Sequence, residues 1–249
     1  MLRIESVQNA RVKQLKKLQT KKGRDKEQLF LIEGLHLVEE ALKQHGLVQE
    51  IWIEEQKKFN LPLLHETIPM IEVTKAVMNV ISTVEKPQGI VAVCKKTKKD
   101  FQIECGKTYV LVDKVQDPGN IGTIIRTADA RGIDAVILNE GTVDIYNDKV
   151  IRSTQGSLFH LPIVYLPLER VIIELKQVGI PVYGTSLLNG VDYQQVEKQD
   201  AFALLVGNEG NGVSKELLTL TTKNLYIPIY GQAESLNVAV ATGILLYSL

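Results

Sequence analysis

Sulfur and surplus charge are both scarce in this sequence. Its 249 residues hold two cysteines, Cys94 and Cys105, with no C-x-x-C pair and no cluster of His with Cys. That excludes a disulfide framework and gives no zinc signature, so a reduced, cytoplasmic protein without a metal is expected. No apolar run approaches the roughly 20 residues that a membrane span needs. The opening stretch MLRIESVQNARVK lacks the apolar core of a signal peptide. Lysine plus arginine equals aspartate plus glutamate at 29 each, so bulk charge argues neither for nor against a nucleic-acid partner.

Two common phosphate fingerprints are missing as well. In LLVGNEGNGVS, residues 204–214, the glycines Gly207, Gly210 and Gly212 run in the reverse of the Rossmann spacing, and Ser214-Lys215 is in the wrong order for a P-loop. Glu209 stands where a pyrophosphate would be repelled. A carboxylate there suits a cationic or hydrogen-bond-donating ligand, or a neighbouring arginine.

What is present is organised. Residues 1–26 carry nine basic against two acidic side chains. This basic arm either tracks a phosphate backbone or is a solvated helix face. Asn9 is a good N-cap for a helix that places Val12, Leu15 and Leu18 on one side and Lys13, Lys16, Lys17 and Lys21 on the other. LFLIEG, VQEIWIEE and GIVAVCKK read as strands, with LHLVEEALKQHG and TKAVMNVIS as helices, which makes a small α/β domain. The charged, unperiodic stretch KKTKKDFQIECGKT at 95–108 marks the boundary. Beyond it, the apolar strands YVLVDKV, DAVILN, LPIVYL, IPVYGTSL, AFALLVG and NLYIPI alternate with helices. This predicts a parallel sheet covered on both faces, with ligands outside the carboxyl ends of its strands.

Three strand-end loops combine glycine with polar side chains. DKVQDPGNIGTIIRTADARG has a Pro118-Gly119 turn, Asn120 where a helix N-cap is expected, and Arg126 in the helix that follows. The second loop is LLVGNEGNGVS. The third, IPIYGQAESLNVAVATG, clusters Glu234, Ser235 and Asn237 at the start of a small-residue helix. Taken singly, each has a plain structural reading as a capped turn.

Together, and in this order, NIGTIIRTADARG, LLVGNEGNGVS and IPIYGQAESLNVAVATGILLY resemble the three motifs of the SpoU (TrmH-like) branch of the SPOUT RNA methyltransferases. FLIEGLHLVEEAL and GIVAVC are similar to the family's ribosomal-protein-like N-terminal domain. The resemblance implies two domains: an RNA substrate-binding domain at 1–100, and at 107–249 a parallel α/β methyltransferase domain containing a deep trefoil knot, an exception to the rule against threaded chains. It implies S-adenosylmethionine as cofactor and transfer of its methyl to a ribose 2′-hydroxyl, in rRNA rather than tRNA on account of the N-terminal domain. The alternatives are a tRNA 2′-O-methyltransferase and a catalytically silent RNA-binding protein of the same fold.

By the same resemblance Arg126 is catalytic, acting with Asn120, Ser235 and Asn237, while Glu209 fixes the hydrogen bonds of the site. Gly207, Ile227 and Leu236, with Thr185 and Ser186 nearby, hold the cofactor through backbone groups, the glycines giving clearance to a large ligand. A guanidinium is effectively always protonated, so Arg126 is read as an electrostatic stabiliser in preference to a general base. His160 is read as a packing or RNA contact, and His36, His45 and His65 as surface or core residues. Lys13, Lys16, Lys17, Lys21, Lys22 and Arg24 are expected to touch RNA phosphates. RNA, not DNA or a membrane, is the implied partner, and relatives of this kind are homodimers.

Overall fold

The computed structural model describes residues 2–97, 101–187 and 190–249. Residues 98–100, part of the expected boundary stretch, lie outside the described residues. The chain divides into two units: Met1–Lys98 with Asp144–Phe159, and Lys99–Val143 with His160–Leu249.

The first unit begins with strand β1 (Leu2–Ile4), helices α1 (Ala10–Lys17) and α2 (Lys21–Glu27), and β2 (Leu29–Glu33). Then come α3 (Leu35–Leu42), β3 (Val48–Glu54), β4 (Met70–Val73), α4 (Lys75–Ile81) and β5 (Ile90–Lys95). Asn9 caps α1 as its sequence predicts, its side chain accepting from the Arg11 N–H. Val12, Leu15 and Leu18 are buried with Trp52 and Met78 on one side of the sheet. The sheet runs β1-β4-β3-β5-β2, parallel from β1 to β3 and antiparallel at β5 and β2.

The second unit opens with β6 (Tyr109–Val112), α5 (Pro118–Arg131) and β7 (Ala135–Leu138). The chain then returns to the first unit as α6 (Asp148–Thr154), followed by a turn of 3-10 helix at Ser157–Phe159. It continues in the second unit with β8 (Ile163–Tyr165), α7 (Leu168–Gln177), β9 (Val182–Thr185), β10 (Val191–Asp192), β11 (Ala203–Val206), α8 (Lys215–Leu220), β12 (Lys223–Tyr226) and α9 (Val238–Ser248).

The excursion at Asp144–Phe159 departs from the expected division, which gave all of 107–249 to one domain. Its cause is apolar: Ile151 and Phe159 are buried in the first unit's core with Phe30, Ile32, Val38 and Ala41. Tyr146 lies against the Phe30 ring at 4.6 Å between centroids. A polar clamp adds to this. Arg24, 4% exposed, donates from Nη2 to Asp144 at 2.7 Å and from Nη1 to the Leu18 and Gln19 carbonyls at 3.0 and 3.1 Å. Arg24 is therefore a buried strut and not a phosphate contact, which corrects its assignment to the RNA-facing set.

Among the described residues, the strands of the second unit are ordered β10-β12-β9-β11-β6-β7-β8, seven in number and all paired in parallel. β6, β7 and β11 are buried along their whole length, as strands covered on both faces should be. From β6 the chain steps outward through β7 and β8, whereas β11, β9 and β12 lie on the other side. The order reverses between β6 and β11, the place where open parallel sheets bind ligands.

Candidate active site

Four neighbouring strands, β12, β9, β11 and β6, deliver their C-terminal loops to one edge of the sheet. The loop after β6 enters α5 through Asp117, whose side chain accepts from the Asn120 N–H at 2.9 Å, with Pro118 in the first turn. The N-cap is thus Asp117 and not Asn120. This difference frees the Asn120 amide for the site, while Arg126 falls in the third turn of α5.

Glu209, in the loop after β11, meets that N-terminus. Its carboxylate accepts from the Gln116 N–H at 3.1 Å, the Asp117 N–H at 3.0 Å and the Asn120 Nδ2 at 2.9 Å. Burial alone would raise the Glu209 carboxyl. The donors from Asn120, Asp117 and Gln116 outweigh it and hold the group below the usual glutamate range. Because a carboxylate only accepts, the Asn120 NH2 must face Glu209, which leaves its Oδ1 to accept from Asn237 Nδ2 at 2.9 Å. Asn237 Oδ1 in turn caps α9, accepting from the Ala239 and Val240 N–H groups. One carboxylate therefore sets the orientation of two amides and joins all three sequence motifs.

Lys114 and the glycine loop are tied to this system. Asn208 accepts from the Gly210 and Asn211 N–H groups through Oδ1 and donates from Nδ2 to the Lys114 carbonyl at 2.9 Å. The buried Asp113 accepts from Asn139 Nδ2 and from the Ser214 N–H, at 2.8 and 2.9 Å. Asp113, Asn208 and Gln116 were not among the residues expected at the site. A carboxylate ending an apolar strand was the available signal for the first of them.

Two of the glycines are also required by the loop's own geometry. A Cβ on Gly207 would run into the backbone of Gly212 and Val213, where Asn208 and Gly212 form an antiparallel bridge. Gly212 itself has φ +67°, in the left-handed region that favours glycine. A side chain at Gly207 would therefore clash with the closure of the loop on itself.

Beside this network lies a cleft of about 860 Å³, within the range of small-molecule sites. Thr185, Ser186, Gly207, Ile227 and Leu236, all expected at the cofactor, line it, as do Glu209, Ser235 and Asn237. Asn120 and Arg126 do not. Arg126 is exposed, and it makes no hydrogen bond or ion pair among the described residues. His160 Nδ1 lies 2.7 Å from Asp129 Oδ2. The walls are largely apolar, with Leu187, Leu218, Ile229 and Val238 beside the residues just named, and the charged lining groups are Glu209 and Lys215. A flat ring with an amino-acid tail bearing both signs of charge fits this lining.

Residues 107–247 match the SpoU rRNA Methylase family. This chain belongs to that family. Residues 9–92 match the MRM3-like substrate binding domain. The 23S rRNA (guanosine(2553)-2′-O)-methyltransferase RlmP of Bacillus subtilis (strain 168) is 50% identical over 250 aligned residues, covering 100% of this chain and 99% of that one. An AdoMet-bound rRNA methyltransferase from Sinorhizobium meliloti superposes with a TM-score of 0.88 at 34% identity, over 99% of this chain and 96% of its own. The SpoU methyltransferase AviRb from Streptomyces viridochromogenes, in complex with AdoMet, gives 0.85 at 30% identity and 97% coverage of both. The expected α/β fold, the S-adenosylmethionine cofactor and the RNA 2′-O-methyltransferase activity of a SpoU family member stand with these matches. Among the described residues, no helix is long and apolar enough to cross a membrane.

Proposed function

We propose that this SpoU family member methylates the 2′-hydroxyl of a guanosine in 23S rRNA. The observation that carries the reading is the full-length 50% identity to an enzyme named for that reaction, together with the network that joins the three motifs. The cofactor supplies an electrophilic methyl on a sulfonium. The chain's own residues must bind and orient the ribose and relieve its hydroxyl of a proton.

Thr185, Ser186, Gly207, Ile227 and Leu236 hold the cofactor in the cleft they line. Glu209 locks Asn120, and Asn120 locks Asn237, so the polar edge of the cleft is set before the substrate arrives. Ser235, exposed one residue from Leu236 and lining the same cleft, offers a hydroxyl to the ribose. Arg126 is placed outside the network, where its permanent charge grips the substrate phosphate and stabilises the developing alkoxide. Lys13, Lys16, Lys17, Lys21 and Lys22 are exposed on the first unit and position RNA through its phosphates without reading its sequence. Lys21 also pairs with Asp25 at 2.7 Å.

Two further features belong to this reading. The second unit is knotted, as the family resemblance implies. The protein acts as a homodimer in the cytoplasm: α9 has no charged residue, and its Val240 and Tyr247 are 54% and 60% exposed, an apolar face suited to a second copy.

The test is to incubate the protein with labelled S-adenosylmethionine and ribosomal RNA from a strain lacking it, then map alkali-resistant linkages. One labelled guanosine ribose in 23S rRNA is expected. Label on a base, on tRNA alone, or on no cellular RNA would overturn the reading.

A further inference from the structure

Lys114 sits in a conformation that its side chain disfavours. Its φ is +56°, in the left-handed region where an L-residue with a Cβ is strained and where Gly and Asn are at ease. The strain is held from several directions. The Asp113 N–H donates to the Val206 carbonyl at 2.8 Å on one side. The Lys114 carbonyl accepts from Asn208 Nδ2 at 2.9 Å and from Gln116 Nε2 at 3.3 Å. Strained residues held in this way gather at functional sites. This one lies two residues from Gln116 and three from Asp117, whose N–H groups bind Glu209.

None of these contacts uses the lysine side chain. All of them are backbone contacts that Gly or Asn would make equally well. The side chain is nonetheless directed. A Cβ built on Gly141 would stand 3.3, 3.8 and 3.9 Å from Cγ, Cδ and Cε of Lys114, so the stem lies over the Gly141 backbone. Gly141 is itself held by Gln116 Nε2 donating to its carbonyl. Lys114 is exposed, and its ammonium makes no ion pair or hydrogen bond among the described residues. An exposed cation is thus kept on a strained backbone, with its stem beside Gly141, in the loop that leads into α5.

We infer that Lys114 binds a phosphodiester of the RNA substrate next to the nucleotide being methylated. This rests on the RNA-methylation reading above and adds to it an anchor on the catalytic unit itself, separate from the lysines of the first unit. A phosphate held there fixes the ribose relative to Asn120 and Ser235 from within the same unit.

The experiment compares Lys114→Asn and Lys114→Arg with the wild-type protein in three assays: methyl transfer to the RNA that the wild type modifies, S-adenosylmethionine binding by calorimetry, and thermal unfolding. Asn is at ease in the left-handed region, so the Lys114→Asn melting midpoint should equal or exceed that of the wild type. Its kcat/KM for RNA should fall about tenfold, cofactor affinity should not move, and the salt dependence of RNA binding should lose a slope of about one. Lys114→Arg should retain most of the activity. An unchanged kcat/KM and salt slope in Lys114→Asn would overturn the inference, as would a loss of activity accompanied by a lower melting midpoint, which makes the residue structural. Failure of the wild type to bind or methylate any RNA would instead overturn the proposed function.

Discussion

Replacing Arg24 by Met separates two readings of the basic arm, because the wild-type side chain donates inward through all three guanidinium nitrogens. Nε and Nη2 reach Asp144 Oδ2 at 3.2 and 2.7 Å, and Nη1 reaches two carbonyls at the end of α1. The paired side chains are 5% and 12% exposed, so solvent does little to screen them. Arg24→Met would leave the Asp144 carboxylate with the Tyr146 N–H at 3.1 Å and would strip the Leu18 and Gln19 carbonyls of this donor. Removing one partner of a buried pair costs about 3–5 kcal/mol. Some of that returns through the apolar bulk of Met, which makes about 3 kcal/mol a fair expectation. Trp52 is the single tryptophan of the chain and is fully buried in the first unit, so its fluorescence in urea reports on this unit alone. With a slope of roughly 2 kcal/mol per molar, the midpoint should fall by about 1.5 M. RNA affinity of the folded variant should stay at the wild-type value. A variant whose midpoint stays within a few tenths molar while its RNA binding drops would refute the argument and return Arg24 to the phosphate-contacting set.

Other outcomes follow from the same geometry. Arg126→Ala should abolish methyl transfer and leave S-adenosylmethionine binding intact, since Arg126 does not line the cleft; calorimetry showing both lost would make the residue structural. Lys16→Glu combined with Lys17→Glu should weaken RNA binding and flatten its salt dependence, and unchanged affinity in a filter-binding titration would leave these lysines as a solvated helix face. Glu209→Gln should lower kcat about tenfold, the low end for a charge-assisted hydrogen bond because the group is exposed. The Glu209 carboxyl is depressed on folding, so its contribution to stability is complete above the ordinary glutamate pKa and is lost as pH falls through the lower folded value. A thermal midpoint followed over acid pH should therefore decline less steeply in the Gln variant. Gly207→Ala should destabilise the second unit, since its Cβ meets the backbone of Gly212 and Val213; a soluble variant with an unaltered melting midpoint and full cofactor binding would contradict this.

Much of the architecture was legible because it follows from local patterns. β6, β7 and β11 are apolar at every position, and Asn9 caps the helix that its neighbours predict. β1, β4 and β10 have three, four and two residues and had no counterpart in the sequence expectations, whereas the similarly short β6, β7 and β11 stood out by being apolar throughout. Glu209, Asn120 and Asn237 were named as one group from the motifs, but the direction of each hydrogen bond depends on which residue caps α5. Asp117 and Asn120 are both capping types, and sequence alone does not rank them. Arg24 among the lysines and Gly207 in a glycine-rich loop look like surface and clearance residues. Only packing against Asp144 in the one case, and against the loop's own backbone in the other, reveals what each one meets.

The return of the chain at Asp144–Phe159 bears on the order in which the protein can be made. Arg24 and Asp144 lie 120 positions apart, and Ile151 and Phe159 are core residues of the unit that Leu2 begins. A nascent chain emerges from its N-terminus at several residues per second. The first unit therefore waits, with Phe30 and Ile32 incompletely covered, until β6, α5 and β7 have also been synthesised. Contacts of such long sequence separation slow folding, and they couple the two units during biosynthesis. A gene fragment ending at the 95–108 stretch would encode a first unit lacking part of its own interior.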